Sequence, residues 1–278
     1  MPELPEVETM RRGIAGAAGG RIVAARLNRC RKKPLTMTPS WRVISRRLKD
    51  QRIRAVDRHG KRLIIRLEND WSMVIEPRMT GLVLVDEPPT TEHKRFELEL
   101  TGSDCDRVVY WDRRGLGQVF LLDAAGLNDY LSPSRIGPDA MLITVEQLRD
   151  NLRQRRIAIK VGLLDQKAVA GVGNIYASEL LHLAGVDPRK ACNRITRSQW
   201  ESIHERMLHV LATAIAYEGS TLSDGTYRTA LNDPGEYQHE HRVYDCEDER
   251  CATCGRGMIR RIVQAQRSTY FCNKCQKR

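Results

Sequence analysis

Leu164-Asp-Gln-Lys-Ala-Val-Ala-Gly-Val-Gly-Asn-Ile-Tyr-Ala-Ser-Glu179 is the stretch on which the organisation of this chain turns. Its central Gly171-Val-Gly-Asn174 step opens a helix expected over 174–184, and the unsatisfied N–H groups of such a start can face a phosphate. No Gly-Lys-Ser/Thr follows, which excludes a nucleotide P-loop. A Gly-x-Gly alone reads by default as an ordinary turn before a helix. On either side the apolar period is helical. Thr144-Val-Glu-Gln147 is a capping-box start for a helix over Val145–Arg156. A long helix over Ser198–Tyr217 places Ile203, Met207, Val210, Leu211 and Ala214 on one face, with Gly219 at its end.

Outward from this helical half the pattern changes. Residues 2–16 read as a short helix with Val7, Met10 and Ile14 on one face. From about 21 to 122 the chain reads as strands: Arg21–Leu27, Gln51–Asp57, Lys61–Glu68, Trp71–Ile75, Leu82–Val85, Phe96–Leu100, Arg107–Trp111 and Gln118–Leu122. A short helix near Trp41–Lys49 interrupts them. So many short strands with turn signals imply a β-sandwich. Ser132–Asp139, with two prolines and a glycine, reads as a linker. Residues 219–245 are polar and long for a connector, as functional loops are.

Two cysteine pairs close the chain, Cys251-Ala-Thr-Cys254 and Cys272-Asn-Lys-Cys275. The seventeen residues between them, 255 to 271, match a four-thiolate zinc site. Met258–Val263 and Arg267–Phe271 read as the strands of a zinc hairpin. Cys30, Cys105, Cys192 and Cys246 fit no ligand spacing and read as ordinary thiols.

Over 278 residues the formal net charge is +11 and the pI about 9.5. Arginine dominates the basic residues, and its fork pairs with phosphate more readily than lysine does. The expected partner is therefore a polyanion, nucleic acid before an anionic membrane surface. No apolar run approaches the roughly 20 residues of a membrane span, and no charged-then-apolar leader opens the chain, so neither a membrane nor secretion is expected.

The N-terminus, Met1-Pro2-Glu3-Leu4-Pro5-Glu6-Val7-Glu8, carries the chemistry. Removal of Met1 leaves Pro2 as a secondary amine whose unperturbed pKa lies at about 7.7–8.0. Attack by that amine on an aldehyde-like carbon yields an iminium, a strong electron sink, while Glu3 and Glu6 can move protons. The competing reading is a plain helix entry, with proline in the first turn and acids at the positive end.

These features in this order resemble the bacterial formamidopyrimidine-DNA glycosylases, the 8-oxoguanine DNA glycosylase/AP lyases. The resemblance spans nearly the whole chain and rests on Pro2-Glu-Leu-Pro-Glu-Val-Glu8, on the 164–179 stretch and on the cysteine pairs. It implies an α+β protein with a helix and β-sandwich catalytic domain (1–133), a helix–two-turn–helix domain (134–245) whose 219–245 loop caps the lesion, and a zinc-finger hairpin (246–278). It also implies one structural zinc, no nucleotide cofactor, damaged double-stranded DNA as partner, a monomer, and a cytoplasmic, nucleoid-associated location.

Residue by residue, Pro2 matches the nucleophile that attacks C1′, Glu3 the acid aiding sugar opening, and Lys61 the lysine that transfers protons and holds a phosphate. Without the resemblance, Lys61 is one solvated strand charge among many. Arg267 matches the catalytic hairpin arginine that grips the lesion phosphates and is linked to δ-elimination. Asn174 matches the phosphate-binding asparagine, and Arg155 a basic phosphate contact. Met79 and Arg114 match side chains that fill the space of an extruded base. Leu116 stands where the family usually has phenylalanine, and Glu76-Pro77-Arg78 replaces a His-Leu-Gly-like tripeptide. Arg95, with His93 two residues before it, aligns near the family's DNA-contact histidine. The function implied is excision of oxidised purines followed by β- and δ-elimination. Three rivals remain open: an endonuclease VIII-type enzyme for oxidised pyrimidines, against which Leu4 stands; a non-catalytic damage-binding protein; and a zinc-ribbon transcription or RNA-binding protein, which leaves the first eight residues unexplained.

Overall fold

The computed structural model describes residues 2–277, so Met1, whose removal the chemistry of Pro2 requires, lies outside the described residues. The chain forms two compact units, residues 1–131 with 217–236, and residues 132–216 with 237–278.

In the first unit, α1 (Leu4–Gly13) is followed by β1 (Arg21–Leu27), β2 (Thr36–Thr38), α2 (Trp41–Leu48), β3 (Ile53–His59), β4 (Arg62–Leu67), β5 (Ser72–Glu76) and β6 (Gly81–Leu84). Then come β7 (Lys94–Thr101), β8 (Arg107–Asp112), β9 (Gln118–Leu122) and α3 (Ala124–Tyr130). Two sheets result, ordered β1-β7-β8-β6 and β2-β9-β5-β4-β3. Every pairing is antiparallel except β2 with β9. Val7, Met10 and Ile14, spaced for one helix face, enter a common core with Leu63, Ile65 and Ile75 of one sheet and Leu82, Phe96 and Leu98 of the other. The opposite face of β4 and β5 is also buried, because Ile64 and Val74 pack on Leu127 of α3.

The second unit contains α4 (Val145–Leu152), α5 (Ile159–Leu163), α6 (Asn174–Leu183), α7 (Arg197–Ala216) and the hairpin of β10 (Ile259–Gln264) and β11 (Arg267–Cys272). Trp200, Ile203, Met207, Val210 and Leu211 of α7 are buried, and α7 packs on α4 and α6. The expected capping box is present, with the Gln147 N–H on Thr144 Oγ1 at 3.2 Å and the Thr144 N–H on Gln147 Oε1 at 3.0 Å. That helix stops at Leu152 rather than Arg156, and α3, α5 and β2 were not expected from the sequence.

The 219–245 loop, read above with the helical half, divides differently. Residues 217–236 belong to the first unit. The Ser220 N–H donates to Glu6 Oε1 at 2.9 Å, and the Val85 N–H donates to the Ala230 carbonyl at 3.1 Å. Tyr227 and Ala230 sit in the sandwich core. The stretch at 132–139 is likewise structured: Ile136 is buried, the Gly137 N–H reaches the Gln166 carbonyl at 2.9 Å, and Asp139 bridges Ala170.

Candidate active site and nucleic-acid interface

Pro2 and Glu3 precede α1, and both are buried. The Glu3 N–H donates to Glu6 Oε2 at 2.8 Å, so one carboxylate of the first turn caps the helix start while its other oxygen holds Ser220. One turn into the helix, Glu8 ties α1 to the β3–β4 hairpin. It accepts from Arg11 Nε at 2.9 Å, Arg12 Nε at 3.0 Å and Arg58 Nε at 3.1 Å. Arg58 in turn donates through Nη1 to the Gly60 carbonyl at 3.0 Å. Burial pushes the Glu8 carboxyl up, but the Arg11 and Arg12 hydrogen bonds outweigh it and hold the group below the usual range. His59 and Arg62 pair across the hairpin, which leaves Gly60, at φ +56°, and Lys61 as its two-residue turn. Lys61 thus lies in a turn, half-buried, and not on a strand as the sequence pattern suggested.

The wedge candidates come together elsewhere in this unit. Asp112, at the end of β8, is 0% exposed and organises two loops. Its Oδ1 accepts from the Thr80 hydroxyl at 2.5 Å and from the Arg114 and Gly115 N–H groups at 3.1 Å, and its Oδ2 accepts from the Gly117 N–H at 2.8 Å. The Arg114 N–H also reaches Thr80 Oγ1 at 3.0 Å. Met79, 38% exposed, exposed Arg114 and half-buried Leu116 therefore lie on two loops tied to each other. Glu76-Pro77-Arg78 finds a structural reason here. Glu76 is buried and bonded to Arg62 Nε at 3.1 Å, Arg78 Nε at 2.8 Å and the Tyr130 hydroxyl. Arg78 holds a left-handed φ of +56° immediately before Met79.

Arg95 does not present itself as a DNA contact. It is 3% exposed, with Nε on the Asp112 carbonyl at 2.8 Å and Nη1 on the Lys33 carbonyl at 2.9 Å. His93 is also buried, its ring edge-on to Trp111.

In the second unit Gln166 braces the glycine turn, donating to the Leu164 and Val172 carbonyls at 3.0 and 2.9 Å and accepting from the Gly171 N–H at 3.0 Å. Gly171 takes φ +118°, which a side chain disfavours. Asn174 then starts α6. Sequence reasoning missed the residue beneath it. Lys160 is 0% exposed, and its Nζ donates at 2.8 Å to each of Asn174 Oδ1, the Ser268 carbonyl and Thr269 Oγ1. One buried ammonium thus joins α5, the α6 N-terminus and the strand that Arg267 begins. Arg267 is exposed beside the Ala265-Gln266 turn. Arg155 is engaged with Asp165 Oδ2 at 2.6 Å instead of standing open.

The hairpin is docked by Glu179 of α6, which accepts the N–H groups of Arg242, Val243 and Tyr244 at 3.0, 3.0 and 2.8 Å. Burial raises its pKa, partly offset by those three bonds. The sulfurs of Cys251 and Cys275 lie 3.7 Å apart, and those of Cys254 and Cys272 3.8 Å apart. A tetrahedral zinc with bonds of about 2.3 Å separates its sulfurs by about 3.8 Å. All four fall within 4.8 Å of one another, as one zinc requires. Gly257 leaves room for this, since a Cβ there would meet Cys272 Sγ at 2.4 Å. Cys251, Cys254, Cys272 and Cys275 are the zinc site, and with four ligands its role is structural.

One unit thus holds a buried Pro-Glu helix start, and the other a helix N-terminus locked to a zinc hairpin. Three family models match in chain order: the formamidopyrimidine-DNA glycosylase N-terminal domain over residues 1–119, its H2TH domain over 136–226, and the zinc finger found in FPG and IleRS over 248–278. The chain belongs to the formamidopyrimidine-DNA glycosylase family. It is 39% identical to the formamidopyrimidine-DNA glycosylase of Chloroflexus aurantiacus, over 99% of this chain and 98% of that protein. It is 36% identical to that of Laribacter hongkongensis over 100% of both. Among solved structures it resembles the Lactococcus lactis Fpg complexed with abasic-site DNA, at TM-score 0.85 and 29% identity over 99% and 100% of the two chains. It resembles MutM (Fpg) of Thermus thermophilus at TM-score 0.85 and 32% identity over 99% and 98%.

Proposed function

We propose that the chain is a bifunctional glycosylase/AP lyase that acts on oxidised purines in double-stranded DNA. The observation that carries this is the coupling of the buried Pro2-Glu3 start, through Glu8, Arg58 and Gly60, to the turn bearing Lys61. A nucleophile and a proton carrier are thereby brought to one scaffold. With Met1 removed, the Pro2 nitrogen attacks C1′ as the bond from C1′ to the base breaks, and the base leaves with a proton. Glu3 protonates the ring oxygen, and the opened sugar becomes an iminium. The iminium acidifies C2′–H; loss of that proton expels the 3′ phosphate, and a second elimination expels the 5′ phosphate. Lys61 serves as proton carrier and phosphate ligand.

Met79, Arg114 and Leu116 fill the space left by the flipped nucleotide, and the 219–245 loop caps the extruded base. Asn174 offers its amide NH₂ to a phosphate, since Lys160 occupies its oxygen. Arg267 supplies a second phosphate contact and assists the second elimination. Arg155 is the weakest member of this set, because a phosphate would have to compete with Asp165. We retain 1–133, 134–245 and 246–278 as the domain division by chain order. We place the reaction, by one chain per lesion, on nucleoid DNA in the cytoplasm. No helix of the described residues is long and apolar enough to cross a membrane.

The test is borohydride trapping on duplexes carrying 8-oxoguanine, thymine glycol or an abasic site. Protein with a free Pro2 should give a covalent adduct with the abasic site, where no base has to leave, and a faster one with 8-oxoguanine than with thymine glycol. Protein with a retained N-terminal extension, whose proline nitrogen is an amide, should bind yet give none. Full trapping by protein that mass spectrometry shows to be unprocessed sinks the mechanism. Preference for thymine glycol would assign the pyrimidine-excising rival instead.

A further inference from the structure

The run Arg29-Cys30-Arg31-Lys32-Lys33, between β1 and β2, takes no part in the site described above. Its four cationic side chains are exposed. Among the described residues none of the four has a carboxylate within ion-pair distance. Other arginines of the same unit are neutralised, Arg54 by Asp70, Arg66 by Asp57 and Arg107 by Glu87. A block of unpaired like charges is ordinarily a solvated loop that spreads away from itself.

This one is fastened down. Buried Arg95 reaches the Lys33 carbonyl with Nη1 at 2.9 Å and the Asp112 carbonyl with Nε at 2.8 Å. Asp112 is the residue whose carboxylate shapes the Arg114–Gly117 loop. The two loops also touch directly. A Cβ on Gly115 would meet the Lys33 carbonyl oxygen at 2.2 Å, and Gly115 has a φ of +64°, so only glycine fits there. One guanidinium therefore sets the backbone of the basic run in fixed register with the wedge side chains. Such precision serves no purpose for a solvated charge run. It suits a ligand of regular charge spacing that the wedge also engages.

We propose that Arg29, Arg31, Lys32 and Lys33 form a DNA-backbone clamp. It binds phosphodiesters beside the Arg114–Leu116 wedge, and Arg95 is the positioning residue that registers clamp to wedge. The proposal rests on the DNA-binding reading given above. Contacts to phosphate carry no base information, so the clamp strengthens binding to damaged and undamaged duplex alike. Arg95 then acts on DNA through the loop and not by touching it.

The test combines R29A, R31A, K32A and K33A in the full-length, zinc-loaded protein. Affinity is followed by fluorescence anisotropy from about 50 to 200 mM salt. The probes are a duplex with a tetrahydrofuran abasic analogue and its undamaged counterpart. All four positions are exposed, so the variant should melt with the parent protein. Each phosphate contact contributes about 0.9 to the slope of log affinity against log salt. The variant should lose roughly 2–3 from that slope and about tenfold or more in low-salt affinity, equally on both duplexes. Borohydride trapping of a true abasic site at saturating protein should be unchanged.

Arg95→Lys keeps the charge but cannot span both carbonyls. Alone it should flatten the slope, and in the fourfold background it should add nothing. An unchanged slope in the fourfold variant overturns the clamp, as does a loss confined to the damaged duplex. A normal slope in Arg95→Lys overturns the positioning role. If the parent protein neither binds nor traps, the DNA reading itself fails and the clamp falls with it.

Discussion

Replacing Lys160 by methionine tests how the second unit holds its DNA grip. Methionine matches the lysine stem in length and apolarity but leaves Asn174 Oδ1, the Ser268 carbonyl and Thr269 Oγ1 without the donor that now lies 2.8 Å from each. A buried acceptor stripped of its partner costs about 1–3 kcal/mol. That cost is opposed by relief from burying an ammonium, which is several kcal/mol in real proteins. The net loss of stability should be about 1–3 kcal/mol, seen as a fall of a few degrees in Tm. The loss in DNA binding should be larger than unfolding explains. Without Lys160, Asn174 is free to turn its amide, and the strand carrying Arg267 is no longer pinned to the start of α6. A drop of about ten- to a hundredfold in affinity, roughly 1.4–2.8 kcal/mol, is expected well below Tm. The decisive assay is a double-mutant cycle on duplex affinity with Lys160→Met and Arg267→Ala. If the lysine acts by placing the arginine, the two couple by about 1 kcal/mol or more. Additivity within about 0.5 kcal/mol would refute the reasoning and leave Lys160 as a packing residue.

Cys254→Ser should release zinc, measured by elemental analysis, and abolish duplex binding, while far-UV circular dichroism retains the helical and sheet signals of the two large cores. Leu116→Phe should tighten lesion-duplex binding by about 1 kcal/mol, because an aromatic face stacks on a base where leucine cannot. Slower 8-oxoguanine excision by that variant, with abasic cleavage unchanged, would show Leu116 to be no wedge. For Glu8, whose carboxyl is held below its ordinary value of 4.5, the sign follows from linkage. Its stabilising contribution is complete above about pH 4.5 and is lost as pH falls through the lower folded value. Glu8→Gln should therefore flatten the acid limb of the melting profile and lower Tm at pH 7; an unchanged limb would remove Glu8 from the link between α1 and the Lys61 turn.

Much of the fold was legible because its signals are local. The strand limits expected for Arg21–Leu27 are those observed, and the 174–184 helix is one residue longer than α6. Such agreement follows from periods of 2 and 3.6 that a short window reveals. The four cysteines were legible because a metal dictates both residue type and spacing. Helix α3 was not legible. Ala124–Tyr130 has a single large aliphatic residue, Leu127, and it is placed by that residue meeting Ile64 and Val74, a contact no local period encodes. The packing of residues 217–236 with the first unit was not legible for a similar reason, since their anchors, Glu6 and Val85, come from distant segments.

The site shows the same division more sharply. Pro2, Glu3 and the glycine turn announce themselves through unusual chemistry or backbone demand. The residues that hold them do not. Lys160 sits in an ordinary apolar helix pattern, and the acceptors that make it buried and fixed lie 14, 108 and 109 residues away. Asp112 reads as one more turn acid, yet its two oxygens set the geometry of both wedge loops. Arg95 carries the argument furthest. In sequence it is a cation near an aligned histidine, and charge invites the inference of a DNA contact. In the structure its guanidinium is spent on two backbone carbonyls. A motif reader sees which cations could meet a phosphate. Burial decides which of them are free to do so, and here it transfers that role from Arg95 to the exposed run whose backbone Arg95 holds.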